Sequence, residues 1–166
     1  APDGNLTADK IVENNTAGLH RMYTISSCSA STTYTASIFV KKSERTRFEF
    51  LETTLGGCVF DLTNGTIVSG TDGFIESYNN DWYRCGIKRT TSVSQSVFVI
   101  QVRLIISGTN NNYLGDGTSG VFIWGAQLEA GSYATSYIPT VASTSTRNAD
   151  VISKTGISSL ISSTEG

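Results

Sequence analysis

Apolar and polar residues alternate along most of this chain in short runs, and Gly, Asn, Asp and Ser clusters separate the runs. A period of two is the signature of strands with one buried face. It predicts strands over residues 19–28, 34–42, 46–53, 72–78, 82–88 and 95–107, and another from residue 121. In the run from Tyr34 to Lys41, Tyr34, Ala36, Ile38 and Val40 share one face, and Thr35, Ser37, Phe39 and Lys41 share the other. Residues 57–69 hold two runs flanking Asn64-Gly65, a dipeptide that suits a type I′ hairpin turn. The longest run places Phe98, Ile100, Val102, Leu104 and Ile106 in one apolar row, with Gln101 and Arg103 opposite. Residues 108–120 read as a polar loop. No helix longer than a turn or two is convincing: Thr7 to Asn14 is the best candidate, and it suits a strand equally. The expected fold is all-β, an antiparallel sandwich of two sheets with jelly-roll topology, with the apolar row between the sheets.

Length allows one domain with a sizeable core. Charged residues make up 16% of the chain, against about 25% in an average domain. The net charge is −2 and there is no basic run, so neither nucleic acid nor an anionic membrane is an expected partner. No apolar stretch approaches the roughly 18 residues of a membrane span, which argues against membrane insertion. Cys28, Cys58 and Cys85 are odd in number and lack a metal-binding spacing. They read as three free, largely buried thiols. From residue 140 the chain turns Ser- and Thr-rich, and residues 151–166 read as a linker or the start of a following module.

A strand-rich domain with aromatics, amides and few charges suits neutral polar ligands such as sugars. Aromatic faces stack on C–H faces, and amides and guanidinium groups bond hydroxyls. Alternation puts Trp82 and Arg84 on one face of their strand, and Gln101 and Arg103 on one face of theirs. If those strands share a sheet, the four form a polar face with an aromatic edge. Trp124 keeps company with Phe122, Ala126 and Leu128, which favours the core, so Gln127 is the functional candidate on that strand. Tyr113, in the polar loop, is a candidate exposed platform. The acidic residues are scattered, and nothing singles out the facing pair a glycosidase needs. His20 lacks a nucleophile elbow. No catalytic site is expected.

Several motifs stand in order along the chain. They are Ala1-Pro2-Asp3-Gly4-Asn5-Leu6-Thr7-Ala8-Asp9-Lys10, Tyr34 to Lys41, Trp82-Tyr83-Arg84-Cys85, and Gly115-Asp116-Gly117-Thr118-Ser119-Gly120 leading into Trp124-Gly125-Ala126-Gln127-Leu128-Glu129. Ala134-Thr135-Ser136-Tyr137-Ile138-Pro139-Thr140 and Thr146-Arg147-Asn148-Ala149-Asp150 complete the set. This set, over residues 1–150, resembles the carbohydrate-binding-module-like jelly-roll domains of bacteriophage tail and head-fibre proteins, which are related to modules attached to glycoside hydrolases. The resemblance implies a non-catalytic module that binds a neutral oligo- or polysaccharide or a cell-surface glycan. It also implies neighbouring modules in a larger protein and a place outside the cell or on a virion surface. The alternative it leaves is a fibre assembly domain without sugar binding. No cofactor is required. Such modules often hold a structural calcium ion, and Asp3, Glu13 and Asp150 are the oxygen ligands on offer here.

Overall fold

A computed structural model describes residues 1–140 and 144–146. Within them the chain forms twelve strands: β1 (Asp9–Val12), β2 (Ala17–Leu19), β3 (Arg21–Ser27), β4 (Thr33–Lys42), β5 (Arg47–Glu52), β6 (Gly56–Asp61), β7 (Thr66–Ser69), β8 (Gly73–Ser77), β9 (Trp82–Thr90), β10 (Val97–Ile105), β11 (Asn112–Leu114) and β12 (Gly120–Ala130). One sheet runs β1-β12-β4-β9-β8, the other β3-β10-β5-β6-β7, and β11 pairs with β2 alone. The antiparallel pairs nest: β1 with β12, β3 with β10, β4 with β9, β5 with β6. That nesting is the jelly roll, which winds one long hairpin into two sheets. Among the described residues no helix is long and apolar enough to cross a membrane.

The core lies between the sheets. Ala36, Ile38 and Val40 of β4 and Cys85 and Ile87 of β9 face Phe48 and Phe50 of β5, Phe60 of β6, and Phe98, Val102 and Leu104 of β10. Ile100 packs against this cluster, so four of the five residues in the predicted row point inward. Ile106 does not. Strand β10 ends at Ile105, the Ile106 amide turns to the Asn110 carbonyl, and the side chain is exposed.

Two local expectations change, and the open choice at Thr7 to Asn14 falls to a strand. The Asn64-Gly65 turn is a four-residue loop, because Asp61 pairs with Thr66. Only Gly65 takes a positive φ there, and Asn64 does not. The Asp61 carboxylate accepts the Thr63 and Asn64 amides at 2.8 and 3.3 Å, so an aspartate-capped turn replaces the type I′ turn. The polar loop of residues 108–120 contains β11, and Thr7 to Asn14 contains β1. The three thiols are free, with Cys58 and Cys85 buried and Cys28 partly exposed. The proposed linker at residues 151–166 lies outside the described residues.

A buried ionic knot fixes the end of the sandwich where β1, β11 and the loop before β12 meet. The Glu13 side chain is fully shielded. It accepts Arg45 Nε at 2.8 Å and Nη2 at 2.5 Å, the Tyr113 hydroxyl at 2.7 Å and the Asp116 amide at 2.9 Å. The His20 ring lies tilted against Tyr113 with centres 4.6 Å apart, and the Arg45 guanidinium lies over the Tyr113 ring, 5.4 Å from its centre. Burial and the Glu13 carboxylate push the Tyr113 hydroxyl above its ordinary value.

Candidate functional site

The outer face of the first sheet is where aromatic and polar side chains meet. On β12, Trp124 stands opposite Phe39 and Gln127 opposite Ser37, so Gly125 and Ala126 together face one residue of β4. This is a β-bulge, and Gly125 supplies its left-handed φ of 60°. The extra residue puts Trp124, Gln127 and Glu129 on the same outer face. Unbroken alternation would have sent Trp124 the other way. Trp124 is therefore not a core residue, and a Gly inside a strand pattern is the sequence signal that marks such a bulge.

Phe39 is the hub of this face. Tyr78 meets it edge-on at 4.9 Å, Trp124 at 5.4 Å and Tyr137 at 6.4 Å, and the Arg84 guanidinium covers it at 5.5 Å. Tyr137 also lies 4.5 Å from Trp124. The Trp124 indole N–H donates to Thr7 Oγ1 at 3.0 Å, which fixes its ring. Gln127 Oε1 accepts the Ile138 amide at 2.9 Å. Glu129 accepts the Thr135 amide at 3.0 Å, as well as the Thr135 hydroxyl. Burial would raise the Glu129 carboxyl, yet the Thr135 hydroxyl, with Gln127 and the Thr135 amide, holds it below its ordinary value. Gln127 and Glu129 thus strap the segment after β12 across the sheet and set Tyr137 against Trp124.

A recess of about 310 Å³ opens beside this cluster. Thr7, Asp9, Trp124, Gly125, Ala126 and Tyr137 line it together with the core residues Ile38 and Ile123. Strand β1 pairs with β12 only from Ile123 to Gly120, so the bulge lies past the end of their ladder. The volume is at the lower end of the roughly 300–1,000 Å³ range of small-ligand pockets.

The sequence candidates scatter over the molecule. Trp82 and Arg84 belong to β9 in the first sheet, Gln101 and Arg103 to β10 in the second. Both pairs point away from the core, so they occupy opposite outer surfaces and form no common face. Trp82 is 4% exposed and offers no free ring. Gln101 Oε1 accepts Arg103 Nε at 2.9 Å, and Arg103 Nη1 pairs with Glu49 at 3.2 Å. These two are already partners of each other. Tyr113 is buried in the ionic knot and is no exposed platform. Gln127 reaches the face but serves the strap. Arg84 alone of the first four lies beside the aromatic hub. Phe39, Thr7, Asp9, Ser37, Trp124 and Tyr137 join the site only through sheet register and the bulge.

Two of the three calcium candidates are engaged otherwise. Glu13 already carries a guanidinium and two further donors. Asp3 is exposed and accepts the Asn5 amide and side chain. Asp150 lies outside the described residues. Among the described residues no three His, Cys, Asp or Glu side chains group so as to hold a metal ion.

No protein-family model matches the chain, and no curated protein matches it.

Proposed function

We propose that this domain is a non-catalytic glycan-binding module, part of a larger surface or fibre protein, and that it binds at the outer face of the first sheet. The observation that carries the reading is the recess beside Trp124. Two aromatic residues, Trp124 and Tyr137, line it with the polar residues Asp9 and Thr7 and the bulge residues Gly125 and Ala126. A sugar ring has an apolar C–H face for the aromatic residues and hydroxyls for the polar ones.

Trp124→Ala removes one aromatic lining residue and is expected to weaken binding by about 2 kcal/mol, the scale of an aromatic anchor, which is roughly thirtyfold. Gln101→Ala, on the opposite sheet, is expected to leave binding unchanged. A glycan array followed by calorimetry on both variants checks this, with melting curves to confirm that each is folded. Equal binding by wild type and Trp124→Ala would move the site elsewhere.

A second reading, assembly without sugar binding, draws on the edge strand β3. Met22, Tyr23 and Ile25 are exposed there, beside exposed Val97. An edge charged only at its first residue, Arg21, is open to pairing with another chain. That reading takes over if no glycan binds and Ile25→Lys changes the oligomeric state in light scattering.

A further inference from the structure

The outer face of the first sheet holds a buried cation with too few partners. Arg84 is 4% exposed. Of its five N–H groups, one bond is made, from Nη2 to Ser37 Oγ at 3.0 Å. Its Nε is shielded and has no partner, alone among the buried side-chain nitrogens and oxygens of the described residues. The other arginines that leave the surface are satisfied. Arg45, Arg47 and Arg103 hold carboxylates. Arg89 donates to the carbonyls of Gly56, Thr71 and Lys88. Shielding a charge from water without an acceptor is costly, so a site that keeps such a group is arranged for something that supplies the acceptor.

No acid of the described residues hydrogen-bonds it, although the Glu129 charge acts on it. Glu76 stands opposite Arg84 in the β8–β9 register, but it is exposed and is not among the ion pairs. Glu129 is spent on Thr135. We infer that Arg84 receives the carboxylate of an acidic sugar. This rests on the glycan-binding reading and replaces the neutral ligand expected from sequence with an acidic one. A guanidinium is the side chain best matched to a carboxylate. Ser37, already bonded to Arg84, adds a hydroxyl at the same place.

Register sets the geometry of the ligand. Arg84, Phe39 and Trp124 sit side by side on β9, β4 and β12. Two strand spacings separate Arg84 from Trp124, about 10 Å. The carboxylate therefore belongs to a sugar unit next to the one in the recess. Tyr78 and Tyr137, both edge-on to Phe39, lie on the same face, so the ligand must displace part of this cover to reach the buried guanidinium. Glu76 opposite Arg84 and Glu129 on the same face oppose a dense polyanion more strongly than a single carboxylate.

The test uses calorimetry with short oligomers of galacturonate, glucuronate and mannuronate, the same oligomers after reduction of their carboxylates to alcohols, and dextran sulfate. Wild type is expected to bind one uronate series at least tenfold tighter than its reduced form. Arg84→Gln is expected to bind both forms as wild type binds the reduced one. Trp124→Ala is expected to weaken both. Equal binding of both forms by wild type overturns the carboxylate anchor while leaving the glycan reading intact. That comparison stands even if Arg84→Gln fails to fold. Tighter binding of dextran sulfate than of any uronate overturns the carboxylate assignment in favour of a sulfated ligand. Absence of binding to any glycan, charged or neutral, overturns the glycan reading and the anchor with it.

Discussion

Arg45→Ala is expected to destabilise the fold by about 3–5 kcal/mol, the cost of leaving a buried charge without its partner. Glu13 is the charge left behind, fully shielded between β1 and the loop before β12. Its carboxyl is held below the ordinary value of 4.5, first by Arg45 and then by Tyr113 and the Asp116 amide, against the opposing effect of burial. A carboxyl lowered by folding contributes stability above its unfolded value and loses it as pH falls through the folded value. The wild-type melting temperature should therefore hold steady above about pH 5 and drop below about pH 4. Without Arg45 the largest cause that lowers the Glu13 carboxyl is gone, and the variant should lose less stability in acid than wild type does. Melting temperatures of both proteins over that range check the sign. Parallel curves would mean that the pair contributes nothing to the acid response.

Phe60→Ala is the second large effect, with an expected loss of about 3–5 kcal/mol. Phe60 is fully buried on β6 and stacks on Phe48 of β5 at 5.2 Å. Its strand pairs with β5 in unbroken register and with β7 across an irregularity at Val59–Phe60, so the paired backbones limit collapse into the space that the ring leaves. Chemical denaturation measures this directly. Phe60→Leu, which keeps much of the volume, should recover most of the loss. A loss below about 1 kcal/mol for Phe60→Ala would show that the sheets close over the gap.

Strand positions were legible because burial of one sheet face writes a period of two into the sequence. That is why β4, β5, β9 and β10 stand where alternation puts them, and why Phe98, Val102 and Leu104 face inward. The short strands β1, β2 and β11 carry little of that signal. Each has a few residues, and β11 is held through Tyr113 and Glu13 rather than by an apolar row. Trp124 was misplaced by the same rule that worked elsewhere. A single extra residue at Gly125 reverses the face of everything before it relative to everything after.

Alone, then, the sequence determined the class of fold, most strand positions, the inward rows and the free thiols, since these depend on local alternation and composition. Only the tertiary structure decided which outer faces coincide. Strands β9 and β10 are neighbours in sequence and lie in opposite sheets, so Arg84 and Arg103 never meet, while Thr7, Phe39, Trp124 and Tyr137 come together from distant segments. Pairing in a jelly roll joins strands by nesting rather than by sequence order, and no local pattern encodes which strand will lie beside which.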